Sequence, residues 1–213
     1  DAMKITIVYD NTAFIEGFIA DWGFSCLVEA HGKRLLFDAG AKGTVLLHNM
    51  AKLGISPQAL DGVFISHAHW DHTGGLADLL RAVPLKVFVP EYCPEVKGAE
   101  SCERISDRVE IFENIYSTGT LKDSEQSLVV RHGKDTVVVV GCSHPGVREI
   151  LAAAEKFGKA TVLVGGLHGF DELDLLEDLR MVCPAHCTQY IGAIELKYPE
   201  KFVVGGVGQI IEI

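Results

Sequence analysis

The sequence lacks any long hydrophobic run and any secretion signal at its N-terminus. No apolar stretch of its 213 residues reaches the roughly 18 that a membrane-spanning helix needs. We therefore expect a cytoplasmic protein without a membrane partner. Asp1 and Ala2 precede Met3 and are expected to be additions ahead of the natural start, which leaves residues 3–213 as one domain.

Positive charge is scarce as well. The 19 Lys and Arg residues against 29 Asp and Glu residues give a formal net charge of −10 with histidine neutral. A chain this acidic repels phosphate backbones, so a nucleic-acid partner is not expected.

Cysteines at zinc-finger spacing are also missing. The six cysteines include no Cys-x-x-Cys pair, and Cys183-x3-Cys187 has no second pair to match it. In a chain of this size without a signal peptide, we expect free thiols rather than disulfides.

Strand and helix patterns alternate along a chain that is 48% hydrophobic. The predicted strands are 4–9, 24–30, 34–38, 63–65, 86–89, 127–131, 136–140, 161–164, 202–204 and 207–213. The predicted helices are 43–53, 76–83, 147–157, 172–181 and 191–196. Residues 90–126 are expected to form a long irregular excursion. This mixture predicts an α/β or α+β layered domain.

The sequence has an unusually large number of histidines, nine in all. Some of them lie close together with an aspartate, and both residue types commonly bind metals. His67, His69, Asp71 and His72 follow a predicted strand in the order His-x-His-x-Asp-His. Imidazole and carboxylate suit Zn²⁺, and also Mn²⁺ or Fe²⁺. Four ligands on one tight turn exceed what one metal needs from one segment, so the motif predicts two neighbouring divalent cations, most simply zinc. Trp70 is expected to pack around them.

Three further histidines each follow a short apolar run: His144, His168 and His186. Because α/β folds place functional groups at the carboxyl ends of strands, we expect these three to share one site with the motif. The remaining histidines lie in predicted turns or on a predicted helix and are expected to be exposed and uninvolved: His31, His48 and His132.

The His-x-His-x-Asp-His motif resembles the signature of the metallo-β-lactamase fold superfamily, and residues 35–40 resemble its early Asp-x-Gly motif. Several segments are similar to a branch named for 7,8-dihydropterin-6-methyl-4-(β-D-ribofuranosyl)-aminobenzene 5′-phosphate synthase-like hydrolases. These segments are 10–11, 23–25, 65–76, 125–128, 141–146, 165–168 and 184–188. The resemblance implies a four-layered αβ/βα sandwich with two metals in a cleft between its halves.

The resemblance also implies two ligand sets. Carried over by position, a first metal takes His67, His69 and His144, and a second takes Asp71, His72 and His186. His168 falls where many members have a bridging aspartate, and an imidazole cannot bridge two cations in that manner. His168 is therefore expected either to cap one metal or to contact the substrate, and with Asp71 it is a candidate catalytic residue. Gln189 stands where the branch has glycine.

Other residues are candidates for supporting roles. Asp38 is either a turn aspartate or the acceptor that orients a ligand histidine, as metal-bound imidazoles require. Cys142 and Cys187 are expected to be buried thiols beside the ligands, with metal ligation as the alternative. Asn11 and Glu125 are candidates to line the cleft.

The expected function is hydrolysis. Two divalent cations lower the pKa of a water between them, and the resulting hydroxide attacks a carbonyl or phosphorus centre. We predict a metal-dependent hydrolase of a small-molecule ester, lactone or phosphoester, with Asp71 orienting the nucleophile or passing a proton. The resemblance implies that the substrate is phosphorylated or pterin-like. It also implies a synthase-type transfer as the alternative to hydrolysis. A phosphodiesterase or nuclease, an oxygen-handling iron enzyme and a metal- or ligand-binding module without turnover remain open.

Overall fold

A computed structural model describes residues 2–213, so the expectation for Asp1 lies outside it. Over these residues the strands are β1 Lys4–Tyr9, β2 Ser25–Ala30, β3 Lys33–Phe37, β4 Gly62–Phe64, β5 Lys86–Pro90, β6 Ser101–Ile105, β7 Val109–Phe112, β8 Ile115–Ser117, β9 Leu128–His132, β10 Asp135–Val140, β11 Val162–Gly166, β12 Met181–Ala185 and β13 Ile210–Glu212. The helices are α1 Gly43–Lys52, α2 Trp70–Thr73, α3 Leu76–Ala82, α4 Val147–Ala154 and α5 Ile191–Lys197, and short 3-10 segments span Pro57–Ala59 and Leu173–Leu176. Along residues 2–213, none of the helices has the length and apolar composition that crossing a bilayer requires.

The strands form two sheets. The first has the order β13-β1-β2-β3-β4-β5-β6 and the second β12-β11-β10-β9-β8-β7. In each sheet a hairpin, β2–β3 or β9–β10, leads into parallel neighbours. Strands β3 to β5 and β10 to β12 therefore bring their carboxyl ends to one edge of their sheet, where α/β folds place functional groups.

Alternating side chains along the strands account for the layers. Phe37 and Val139 belong to the apolar cluster between the sheets. Their neighbours point the other way: Leu36 packs with the cluster of α1 and α3, and Val138 with the cluster of α4 and α5. The resulting order of helices, sheet, sheet and helices is the predicted four-layered αβ/βα sandwich, and the fold class is confirmed.

Residues 90–126 differ from the prediction, because they contain β6, β7 and β8 rather than one irregular excursion. β6 and β7 are the edge strands of the two sheets. Most of their side chains are exposed or half-buried, so the alternation of apolar and polar residues that marks a strand is weak there.

The predicted helix over 172–181 is wrong. The chain makes one 3-10 segment at Leu173–Leu176 and enters β12 at Met181. Leucines recur there every third position, as on a helix face, but the N–H groups of Arg180 and Met181 both donate to the carbonyl of Thr161 and start the pairing with β11. Strand pairing overrides the local pattern here. The predicted strand 202–204 is reduced to a bridge between Phe202 and Val182.

Candidate metal centre

The carboxyl ends of the parallel strands of both sheets meet in a cluster of histidines. Successive ring centroids lie 4.2 to 5.2 Å apart along the series His186, His72, His67, His144 and His168. The ring of His69 lies 4.5 Å from that of His67 and 5.0 Å from that of His144. The motif after β4 and the three strand-end histidines thus share one site, as expected.

Six of these side chains form two sets of ligand atoms. His67, His69 and His144, here called the first triad, offer nitrogens within 4.8 Å of one another. Asp71, His72 and His186, the second triad, do the same. These are the two sets that the sequence resemblance implies. Each triad joins residues that follow β4 in the first sheet to a histidine from the second sheet.

Asp38 fixes the tautomer of His72. This buried residue follows β3 with a φ of +55°. Its Oδ2 accepts hydrogen bonds from His72 Nδ1 at 2.7 Å and from Ser66 Oγ at 2.7 Å. Because a carboxylate only accepts, Nδ1 of His72 carries a hydrogen and Nε2 is directed to the site. Burial lowers the pKa of His72, but the charge and hydrogen bond of Asp38 outweigh it and raise that pKa overall. Of the two roles considered for Asp38, the geometry fits that of orienting acceptor.

Asn11 fixes the tautomer of His186, as Asp38 fixes that of His72. Its Oδ1 accepts from His186 Nδ1 at 2.8 Å and from the N–H of Gly23 at 3.1 Å, while its Nδ2 donates to the carbonyl of His186 at 2.9 Å. The two backbone partners determine the orientation of the amide, so Nδ1 of His186 is the donor. Asn11 therefore holds a ligand candidate rather than only lining the cleft.

Ser66 orients His67. Ser66 Oγ donates to Asp38, so at 2.8 Å from His67 Nδ1 it acts as an acceptor. Nε2 of His67 and Nε2 of His186 are then buried lone pairs, and neither has a hydrogen-bond partner within residues 2–213. Buried polar atoms are rarely left unpaired in native structures. These two nitrogens fit a site that binds a cation.

The second triad places two acceptors against each other. Asp71 Oδ2 lies 3.2 Å from His186 Nε2 and accepts a hydrogen bond from Trp22 Nε1 at 3.0 Å. Burial raises the pKa of Asp71, but contact with His186 and the positive charge that His72 and His186 can carry hold it well below its usual range. A carboxylate this close to an imidazole lone pair requires a proton or a cation between them, so the donor set fits a divalent metal.

Glu125 holds the segment that carries His144. Its carboxylate is completely buried and accepts from the N–H of Ser143 at 2.9 Å, of Cys142 at 3.3 Å and of His144 at 3.4 Å. Burial raises the pKa of Glu125 to about 7. Glu125 positions this segment from beneath and does not line the cleft.

The two predicted thiols lie beside the triads. Cys142 is buried, with its Sγ 3.1 Å from His72 Nε2, and Cys187 is half-buried. A hydrogen bond between the two thiols lowers the pKa of Cys187 to about 7 and raises that of Cys142.

His168 is exposed and belongs to neither triad. Its ring lies 5.2 Å from that of His144, and both line a cleft of about 420 Å³. The first residues of α4 line the same cleft, as do Lys122 and Arg148. His168 is thus placed to face a bound molecule.

Four aromatic or histidine positions depart from expectation. Trp70 is 65% exposed, so the prediction that it packs around the motif is wrong. Trp22 was not predicted at the site, yet its ring lies 5.2 Å from that of His186. Nothing in the sequence around Trp22 indicates this, because residues 11–24 reach the site only through the fold. His31 and His132 are half-buried against each other, 5.8 Å apart, rather than exposed; His48 is exposed as predicted.

Comparisons with known proteins agree with this geometry. Residues 23–96 match the family model of the metallo-β-lactamase superfamily. The solved structure of Tm1679, described as a metal-dependent hydrolase of the β-lactamase superfamily, is 27% identical, covers 99% of both chains and superposes with a TM-score of 0.82. The chain therefore has the metallo-β-lactamase fold and is similar in sequence to members of that superfamily.

Two relatives from Methanocaldococcus jannaschii match most of the chain. One is an uncharacterized protein, 27% identical over 98% of this chain and 100% of its own length. The other is named 7,8-dihydropterin-6-methyl-4-(β-D-ribofuranosyl)-aminobenzene-5′-phosphate synthase and is 24% identical over 89% of both chains. The chain is similar to both.

Proposed function

We propose that the protein is a dinuclear metal-dependent hydrolase of a small-molecule ester, lactone or phosphoester. The observation that carries the proposal is the pair of adjoining triads. His67, His69 and His144 would hold one cation, and Asp71, His72 and His186 the other; zinc suits both sets, with manganese or iron as alternatives. When bound, two such cations polarise the bond to be cleaved and make an attacking water more acidic.

The chain's own groups position the reactants. The carboxylate of Asp71, held at Oδ2 by Trp22, would orient the attacking water. His168, exposed beside His144, would contact the substrate from the wall of the cleft. Asp38, Asn11 and Ser66 act through the imidazoles whose hydrogens they fix.

The cleft favours a small substrate with a phosphate group. Its volume of about 420 Å³ suits a small molecule. Gly146, Val147 and Arg148, at the N-terminus of α4, line it, and free amides at such a terminus attract phosphate. Arg148 and Lys122 also line the cleft, but they pair with Glu172 and Glu149, and Asp171 lines it as well, so the side chains add no net positive charge. A phosphoester is preferred because of the helix terminus alone.

A second candidate is the synthase-type transfer. Its support is the 24% identity with the named synthase over 89% of both chains. The same cleft and ligands suit a phosphorylated ribofuranoside, so the reaction has to be distinguished by its products.

The test is a substrate panel with the zinc-, manganese- and iron-loaded protein. We expect turnover of at least one of the ester, lactone, phosphomonoester or phosphodiester classes, lost in His67→Ala and His186→Ala and retained in His48→Ala, which changes an exposed residue of α1. Turnover that survives both site variants would contradict the proposal. Pyrophosphate release during joining of a pterin to a phosphorylated ribofuranoside would support the synthase instead.

A further inference from the structure

A thiol lies between the two triads. Cys142 Sγ is within 4.8 Å of ligand nitrogens of His67 and His72, one from each triad. It is also within 4.8 Å of a nitrogen of His186 and of Cys187 Sγ, in a second group of three. Cys142 is only 5% exposed, so this sulfur lies inside the cluster rather than on its rim.

Cys142 and His72 lie slightly closer together than two ligands of one metal, so a small separation of the two side chains would let both bind it. His72 Nε2 lies 3.1 Å from Cys142 Sγ. A nitrogen at about 2.0 Å and a sulfur at about 2.3 Å from one tetrahedral zinc lie about 3.5 Å apart. Because Nδ1 of His72 donates to Asp38, a lone pair at Nε2 faces the sulfur. The same cluster contains the unpartnered Nε2 atoms of His67 and His186, both more than nine-tenths buried.

The ligand set also has few carboxylates. Within residues 2–213, Asp71 is the only acidic residue in the four ligand groups, and His168, at the position of the superfamily's bridging aspartate, is exposed outside them. A thiolate carries enough lone pairs to be shared by two cations, and it prefers soft or borderline metals.

We infer that Cys142 is a metal ligand shared between the positions of the two triads, and that Cys187 is a second thiolate ligand beside the second triad. This inference rests on the metal binding of the proposed function. It assigns to sulfur the bridging role that His168 cannot perform, and it favours zinc over manganese.

Cobalt(II) substitution tests the inference independently of turnover. We expect the cobalt-loaded protein to show a sulfur-to-cobalt charge-transfer band in the near ultraviolet. Cys142→Ser should lose most of this band and Cys187→Ser part of it. Cys93→Ser is the matched control, because Cys93 is a buried thiol in the cluster between the first sheet and its helices, and this variant should keep the whole band.

The outcomes separate this inference from the proposed function. Two bound cobalt ions without a charge-transfer band, or with a band unchanged in Cys142→Ser, would overturn the cysteine ligands and leave the triads intact. A folded protein that binds no cobalt would overturn both. If Cys142→Ser does not fold, alkylation of the wild type decides: zinc should slow modification of half-buried Cys187 at least about tenfold, and equal rates with and without zinc would contradict its ligation.

Discussion

The hydrogens of three buried imidazoles determine what this site can bind. Asp38, Asn11 and Ser66 each accept from an Nδ1 atom, which leaves the three Nε2 atoms of His72, His186 and His67 for the site. The residue type at each acceptor position therefore matters as much as the histidine it faces.

Asp38→Asn should weaken zinc binding. Asparagine tolerates the left-handed backbone at φ +55°, but it removes the negative charge and can turn an N–H toward His72 Nδ1. We expect zinc affinity to fall by about 10–100-fold in chelator competition. Asp61→Asn is the control, since Asp61 accepts from the N–H of Arg34 outside the site. Equal affinities in the two variants would contradict the role of Asp38.

Gly141→Ala should destabilise the site through steric overlap. A Cβ at Gly141 would lie 2.2 Å from Ser66 Oγ and 3.1 Å from Asp38 Oδ2, both of which are fixed by hydrogen bonds. We expect a loss of about 1–3 kcal/mol in urea unfolding. Gly192→Ala in α5, where the added Cβ meets nothing within 4 Å, should instead stabilise the protein by about 1 kcal/mol. The expectation fails if both variants change stability in the same direction.

Among the secondary-structure elements, several that cross the core were predictable from sequence, although β8 and β12 were not. β1 and β10 carry continuous buried runs, and α1 has an apolar face, so their patterns are unambiguous. The edge strands β6 and β7 were missed because solvent replaces the partner that would impose alternation.

The residues of the site also fall into those that the sequence predicted and those that it did not. The six ligand candidates lie at strand ends that the sequence marks, as does Asp38, whose role was left open. Trp22 and the buried position of Glu125 depend on segments that approach from far along the chain. No local sequence pattern indicates contacts between residues so far apart in the chain, so these positions became known only from the fold.

The ends of three neighbouring strands are joined by an ion pair that should respond to pH. Asp135 of β10 accepts from Arg180 Nη2 at 3.0 Å and Nε at 3.1 Å, and from Thr161 Oγ1 at 2.8 Å. The hydrogen bonds with Arg180 hold the pKa of Asp135 below its ordinary value of 3.8, against the effect of burial. A depressed pKa in the folded state means that this stabilisation is present above pH 3.8 and is lost as the pH falls through the folded-state pKa.

Asp135→Asn should therefore cost about 1 kcal/mol near neutral pH and progressively less in acid. Urea unfolding of both proteins across this range measures the difference. Asp178→Asn removes an exposed partner of Lys159 and should change little at any pH. A cost for Asp135→Asn that does not shrink in acid would show that the ion pair is not its source.

At the scale of the whole molecule, each triad ties the two sheets together. His67, His69, Asp71 and His72 follow a strand of the first sheet, whereas His144 and His186 follow strands of the second. A bound cation would therefore cross-link the halves of the sandwich as well as serve the reaction.

Chelation should lower the melting temperature. A ligand present at about 100 times its dissociation constant stabilises a protein by about 2.7 kcal/mol. For a chain of this size that corresponds to about 5–10 °C. We expect a shift of this order between the zinc-loaded and chelated protein by differential scanning fluorimetry, and a smaller one in His186→Ala, which keeps only the first triad. An equal shift in that variant would place the stabilising metal outside the second triad.

Four site residues occupy the left-handed region of the backbone: Asp38, Ser143, His168 and His186, with φ of +55°, +62°, +49° and +49°. Such a conformation costs a non-glycine residue about 1–2 kcal/mol. His168→Gly should therefore make the fold about 1 kcal/mol more stable while removing an imidazole from the cleft. Selection for heat resistance and selection for turnover would then act in opposite directions at this position, so a screen for stable variants that omits an activity readout is expected to discard His168 first.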